Sequence, residues 1–451
     1  MEYLLMHKDI KVLKIEIGKD NQIKRIIDTY DFKHMPFASK DLLTLKKWWN
    51  ERSIPLSRDE YKNITKSLPN DDSLSLVVKS HALSLNDQYW IKKEDEFIIY
   101  DDISFFSNAF DEDIGNALFG KLKKKRISYY SPDSTSIGNL KKRWLVVDGK
   151  KCLLKAGTKP YQYEIFSEII ASKIMDILNI NHIPYRFYKT KDNIYCLSEN
   201  FISYNEDFVS AHQLYNSKKK DNKVSSFEHL LSIYDELNIP NYRCEIDKMF
   251  FIDFLIGNID RHLNNFGVIR DAKTLEFIRV APIYDSGSSF GFDKTDDELA
   301  SSVDIDWKPF KSRKFQNQLE LLKDIKWLNI NKLKSVVREV SNLLDEYQEY
   351  ISKQRKNAIM TFLVRRINYA FAILNIDEYI EYSCVELTIL EKQIIKYVED
   401  NQSLVDLKEL ATSLDVSYIT IYRAVANLTK NNILRRVGAR KKGYWILVDR
   451  L

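Results

Sequence analysis

Cysteine is scarce in this chain: four residues, Cys152, Cys196, Cys244 and Cys384, spread through 451 positions with no Cys-x-x-Cys spacing. That excludes a disulfide framework and a zinc-finger ligand set, and it fits thiols kept reduced. Long apolar runs are also missing. The longest, Met249–Ile259, is short and broken by Asp253, so no membrane-spanning helix is expected. The first residues carry Glu2, Lys8, Asp9 and Lys11 where a secretory signal would need an uninterrupted apolar core. A cytoplasmic location is the expectation. No Gly-x-x-x-x-Gly-Lys-Ser/Thr occurs, which disfavours a P-loop nucleotide hydrolase. Internal repeats and low-complexity segments are absent as well. The net charge of +5 is too small to imply nucleic acid from the whole-chain balance, so the distribution of charge has to be read instead.

What is present is an ordinary globular composition, 44% hydrophobic and 29% charged, with length for two to four domains. Residues 1–125 form an α+β region. Val12, Leu13, Ile15 and Ile17 alternate before a turn at 18–21, helices are expected over Leu42–Trp49 and Ser57–Leu68, and a short strand over Glu96–Tyr100. Residues 126–205 begin with the small, polar stretch Ser131–Asn139. A hairpin follows around Asp148-Gly149, then an amphipathic helix from Pro160 to Leu178. Residues 206–382 are mostly helical, interrupted by strands at 266–270 and 277–280. Residues 383–451 read as three helices and a hairpin.

The chemistry-bearing residues cluster in 131–290. Asp260, His262 and Asn265 stand in the order Asp-x-His-x-x-Asn directly after an apolar helix, and Asp285 follows the next hairpin. A carboxylate to accept a hydroxyl proton, with an amide and a second carboxylate for a metal ion, suits phosphoryl transfer. That reaction depends on positioning and charge neutralisation more than on covalent catalysis. Mg²⁺ favours such a set because it takes few carboxylates and completes its shell with substrate oxygens. Upstream, Lys155 ends an apolar strand. Glu164 and Glu168 lie one helical turn apart on the next helix, where either could pair with it. The hydroxyls of Ser134, Thr135 and Ser136, with Gly138 as the only glycine of their loop, offer a phosphate cradle without a Gly-x-Gly-x-x-Gly pattern. The bland alternative treats Asp260 and Asp285 as loop caps and Lys155 as a solvated lysine. The order of all the parts along the chain weighs against it.

The succession SPDSTSIGNLKKRW, CLLK, SEIIASKI, GNIDRHLNNFGV and APIYDSG resembles the HipA-like serine/threonine kinases, over residues 1 to about 375. The resemblance implies a bilobal, protein-kinase-like fold that uses ATP and Mg²⁺. Lys155 would bind phosphate with Glu168 as its partner, Asp260 would be the base with His262 positioned beside it, and Asn265 and Asp285 would hold the metal. It further implies autophosphorylation at a Ser or Thr of the phosphate loop, an unidentified protein substrate, and an association with toxin–antitoxin systems.

The C-terminal segment resembles a winged helix-turn-helix. Residues 420–451 carry eight Lys/Arg against Asp449 alone, whereas 386–419 carry three against seven acidic residues. The expected contacts to double-stranded DNA are Ser417, Tyr418, Thr420 and Arg423 in the groove, and Arg435, Arg436, Arg440, Lys441 and Lys442 on phosphates. A homodimer would suit a two-fold site. Two rival readings stay open here: a DNA-binding regulator whose kinase fold is inactive or senses a ligand, and a small-molecule phosphotransferase.

Overall fold

The computed structural model describes residues 1–56, 58, 60–68, 72–122, 126–135, 141–301, 310, 315–380, 389–401, 403, 406–430, 433–438 and 443–447. Helix and sheet are mixed throughout. The chain divides into two compact units, Met1–Tyr350 and Ile351–Leu451. The division falls ahead of the 382/383 boundary read from the sequence, so the long helix Lys353–Ile373 goes with the second unit. Within it the Asn368 side chain brackets the backbone of Ile380, accepting from its N–H at 2.8 Å and donating to its carbonyl at 2.9 Å.

In the first unit an antiparallel sheet runs Ile23–Thr29, Ile10–Ile17, Glu2–His7, Tyr89–Lys92. Its alternating residues Leu5, Val12, Leu13, Ile15 and Ile17 pack with Trp48 and Trp49 of the helix Leu42–Glu51. Asp41 caps that helix, accepting from the Thr44 N–H. The fourth strand lies at Tyr89–Lys92, not at Glu96–Tyr100. Trp90 and Ile91 are fully buried there, whereas Phe97 and Ile99 face solvent and Tyr100 opens a helical turn. Burial on the sheet decided between two runs of similar strand propensity.

A second antiparallel sheet is ordered Lys142–Val147, Lys150–Lys155, Ile194–Glu199, Tyr185–Lys189. The Asp148-Gly149 turn closes its first hairpin, with both residues at positive φ as such a two-residue loop requires. The helix Tyr163–Leu178 follows; it starts three residues later than Pro160 and is buried along almost its whole length. Phe166 is held in an aromatic cluster with Phe187, Tyr347 and Tyr350.

A third sheet is ordered Phe277–Val280, Gly267–Asp271, Glu206–Ser210, with the apolar helix Tyr242–Ile256 between its last-listed strand and the other two along the chain. Gly257 ends that helix at φ +64°, a left-handed position that suits glycine and turns the chain into Asn258–Asn265. Between the second and third sheets, His182 and Ile283 form a parallel bridge. The segment entering Tyr185–Lys189 is thereby fixed beside the one carrying Asp285.

The second unit has its own core of Ile394, Val398, Leu407, Leu410, Ile421, Val425, Leu428 and Leu434. Behind Lys353–Ile373 it contains helices Ile389–Asn401, Leu407–Ser413 and Tyr418–Lys430 and the antiparallel pair Leu434–Val437 with Tyr444–Leu447. Asp406 caps the middle helix, as its position in the sequence suggests. Among the described residues no helix is long and apolar enough to cross a membrane, and Cys152, Cys196 and Cys244 are unpaired thiols.

Candidate active site

Three elements distant in sequence meet at Lys155. Its Nζ lies 2.9 Å from Glu168 Oε1 on the helix and 2.7 Å from Asp285 Oδ1 on the loop after the third sheet. It also donates to the Tyr185 hydroxyl at 3.1 Å. Lys155 and Glu168 are buried and Asp285 partly so. Burial disfavours a charged lysine, yet Asp285 and Glu168 outweigh it and hold Lys155 well above its ordinary value. Burial likewise acts against the Asp285 carboxylate, but Lys155, then Lys142 and Arg261, keep it far below the usual range. Glu168 is pushed up by burial against the pull of Lys155.

The choice between the two glutamates is geometric. Glu164 accepts the Thr158 N–H with both oxygens at 3.1 Å and so stabilises the turn behind the lysine strand. Glu168, one turn further on, takes Lys155 with one oxygen and the Ser286 N–H, at 2.8 Å, with the other. The same carboxylate therefore fixes the lysine and the backbone next to Asp285. Asp285 sits at φ +58°, where a non-glycine residue costs about 1–2 kcal/mol. Its N–H donates to the Tyr185 hydroxyl at 3.3 Å, one of the contacts that hold it there.

The loop carrying Asp260 and Asn265 is organised by Arg261, which the sequence reading passed over. Its guanidinium is fully buried and paired with equally buried Asp253, at 2.9 and 3.0 Å. It also donates to the carbonyls of Asn265 (2.9 Å) and Tyr284 and to the Ser286 hydroxyl (3.2 Å). Asn258 adds a bond to Asp253 at 2.9 Å, and the Ile259 N–H reaches the Ser288 carbonyl at 3.0 Å. The loop around Asp260 and the loop around Asp285 are thus stitched into one surface.

On that surface the Asp260 side chain is about two-fifths exposed and within 3.9 Å of His262 Nε2. Asn265 donates its amide N–H to the Asp260 carbonyl at 2.9 Å, leaving its oxygen as the atom that would hold a cation. His262 receives the Asn264 N–H on Nδ1 at 3.2 Å, so it shapes the loop. Lys142, opposite Lys155 in the sheet, is a second cation near the cluster. Burial lowers it to about 8, with Asp285 raising it and Lys155 lowering it further. Neither it nor Tyr185 was singled out from the sequence. Lys142 stands in a run of basic residues, and Tyr185 reaches the site only through strand order.

Neither Ser134 nor Thr135 bonds to the Lys155 cluster. Both are buried in the 3-10 turn Pro132–Thr135, where Thr135 donates to the Leu83 carbonyl at 2.9 Å and Ser134 Oγ is buried without a partner. Ser136 and Gly138 fall outside the described residues, as do Arg440, Lys441 and Lys442. Of the expected DNA contacts, Ser417 and Thr420 bond to each other at 2.8 Å at the start of the helix Tyr418–Lys430. Tyr418, Arg423, Arg435 and Arg436 are exposed. The Arg436 guanidinium stands 5.0 Å above the Trp445 ring.

The residues present fit a Mg²⁺–polyphosphate group. Protonated Lys155 pairs with anionic Asp285, whose loop is stitched by Arg261 to the one carrying the Asn265 amide oxygen and the accessible Asp260 carboxylate, donor types that hard-cation chemistry calls for. Among the described residues no group of three or more His, Cys, Asp or Glu forms a ready metal cage.

The chain is similar to the serine/threonine-protein kinase CtkA of Helicobacter pylori, 26% identical over 170 residues, 36% of this chain and 52% of the relative. It thus spans about half the length of the curated relative it matches. The crystal structure of the H. pylori proinflammatory kinase CtkA aligns with a TM-score of 0.41 at 20% identity, covering 52% of this chain and 94% of the other. The HipA–HipB–operator DNA complex of the Shewanella oneidensis MR-1 toxin–antitoxin system aligns at 0.48 and 12% identity, covering 83% and 100%. The family model for the HipA-like C-terminal domain matches residues 135–355, the stretch that contains Lys155, Glu168, Asp260, Asn265 and Asp285. Residues 135–355 of this chain therefore belong to the HipA-like C-terminal domain family.

Proposed function

We propose that the chain is an ATP- and Mg²⁺-dependent serine/threonine protein kinase of the HipA type, joined to a DNA-binding winged helix. The observation that carries the reading is the Lys155 cluster. A buried lysine is held by a helix glutamate and by the aspartate of a loop stitched to Asp260. When bound, ATP supplies the phosphoryl group and Mg²⁺ offsets its charge. Lys155 binds the phosphates, and Asn265 and Asp285 hold the cation. Asp260 orients the substrate hydroxyl and takes its proton, with His262 shaping the loop around it. Tyr185 and Glu168 keep the lysine and Asp285 in place before any ligand arrives, and such preorganisation is where catalysis of this kind gains most.

Autophosphorylation of the loop around Ser134–Ser136 belongs to the same reading. Ser134 and Thr135 have no room for a dianionic phosphate in their buried seat. Modification there expels the turn, because two negative charges cannot remain desolvated. The second unit takes duplex DNA with its strongly basic last 32 residues, and a homodimer would suit a two-fold site. A link to toxin–antitoxin regulation and a protein substrate are part of the proposal.

The test is transfer of radiolabelled phosphate from ATP by the purified protein, with Asp260→Ala and Asp285→Ala beside the wild type. Incorporation by the wild type, reduced at least 100-fold in both variants, is expected. Equal labelling of all three, or label on small metabolites and never on protein, overturns it.

A further inference from the structure

The helix Tyr418–Lys430 has an unusual outer face. Ile421, Val425 and Leu428 point into the core of the second unit. On the other side Tyr418, Ile419 and Tyr422 are 46%, 61% and 55% exposed, next to exposed Arg423 and Ala426. Positions i, i+1 and i+4 lie on one side of a helix, so the three form a single patch. The two tyrosine rings stack with centroids 6.4 Å apart. A solvent-facing helix surface ordinarily carries charge of both signs. This helix contains no acidic residue at all. Ser417 and Thr420 satisfy each other at its start, so the patch offers apolar and aromatic groups more than hydrogen bonds.

The charged residues on this helix and on the strand Leu434–Val437 are all cationic, while exposed Asp415 lies three residues before Tyr418. Arg423 is on the same helix, and exposed Arg435 and Arg436 lie on the strand Leu434–Val437. An apolar centre with a cationic border is complementary to a polyanion that itself exposes apolar groups. Duplex DNA does so at one place, the C5-methyl of thymine, which projects into the major groove among otherwise polar base edges. A second copy of the same helix would set cation against cation and is disfavoured.

We propose, resting on the DNA-binding reading above, that Tyr418, Ile419 and Tyr422 read thymine methyl groups. The preferred ligand is then A·T-containing duplex DNA recognised by apolar contact, with Arg435 and Arg436 holding the flanking phosphates.

The experiment selects the preferred duplex for the full-length chain from a random pool and measures its affinity by fluorescence anisotropy. The measurement is repeated with each thymine replaced by deoxyuridine, which keeps the base pairing and removes only the methyls. Loss of roughly tenfold or more in affinity is expected, the scale of removing one methyl from an apolar contact. The slope against salt should not change. Ile419→Ala and Tyr422→Ala should bind the thymine and uracil duplexes equally, while Arg435→Ala should lower the salt slope by about 1 and keep the discrimination. Both apolar positions are exposed, and thermal melting of each variant confirms folding. Equal wild-type affinity for the two duplexes overturns the proposal and leaves DNA binding intact. If no duplex is bound even at low salt, the DNA-binding reading itself fails and the proposal with it. Self-association that disappears in Tyr422→Ala, without duplex binding, identifies the patch as a contact between copies and also overturns it.

Discussion

Lys155 and Arg261 do comparable work for different parts of the site. Lys155 neutralises two carboxylates from separate elements, so its loss strands Glu168 in a nearly dry environment. Lys155→Met is expected to abolish ATP-dependent labelling, and Lys155→Arg should recover little. A planar guanidinium cannot place one point charge between Glu168, Asp285 and the Tyr185 hydroxyl. Arg261 and Asp253 are both fully buried. Breaking one side of such a pair leaves an uncompensated charge and costs about 3–5 kcal/mol. Asp253→Ala should therefore lower the urea midpoint by that equivalent and disable the site without touching a reacting atom. An unchanged midpoint would show that the pair does not hold the two loops together. The residues of the cluster that stand out in sequence are those whose chemistry needs a charge at fixed order: Lys155, a glutamate of the next helix (Glu164 or Glu168), Asp260 and Asp285. Tyr185 and Arg261 were not legible in this way. What they do depends on partners up to 100 positions away, and a lone tyrosine or arginine carries no mark of that.

The elements were largely readable from periodicity and turn chemistry, including the Asp148-Gly149 hairpin, the helix before Gly257 and the Asp406 cap. The misplaced strand at Glu96–Tyr100 shows the limit, since propensity cannot say which of two neighbouring runs the sheet will bury. The 3-10 turn Pro132–Thr135 supplies a pH-dependent prediction at this scale. Asp133 is fully buried; burial pushes its carboxyl up to about 7, opposed by the Trp144 N–H and by Arg58 and Arg143. An acid raised in the folded state holds its proton to higher pH than in the unfolded chain. Its favourable contribution is complete below the unfolded value of 3.8 and is lost as pH rises through 7. Relative to Asp133→Asn, the wild type should lose up to about 3 kcal/mol of stability between pH 5 and 8, read as the difference in urea midpoints. A constant difference over that range would mean that the carboxyl is ionised throughout. Close approach of backbone imposes a second constraint. A Cβ at Gly267 would stand 2.3 Å from the Val209 carbonyl oxygen of the neighbouring strand. Gly267→Ala should thus distort the sheet that leads to Asp285 and destabilise by about 1–3 kcal/mol.

At the scale of the whole molecule, a buried network joins the N-terminal sheet to the one beneath the site. His7 and Arg270 both bond Asp207, at 2.9 and 3.0 Å, and Arg270 also donates to Tyr89 at 2.8 Å. Burial alone would raise Asp207, but His7 and Arg270 hold it down at about 2. The two sheets are therefore locked within one unit. The second unit carries a separate core. A chain ending at Tyr350 should consequently keep ATP-dependent labelling and lose duplex DNA binding. Loss of both would show that the units depend on each other to fold. The amino-acid sequence by itself determined the order of chemical groups, the turn and cap positions and the concentration of positive charge after residue 420. Those properties are local, set by side-chain type and spacing. Only the tertiary structure decided that Glu168 and not Glu164 meets Lys155, that Arg261 joins two loops, and that Ser134 and Thr135 are buried. Each of these is settled by packing between distant segments, where burial makes an unpaired charge or hydroxyl costly enough to select one arrangement.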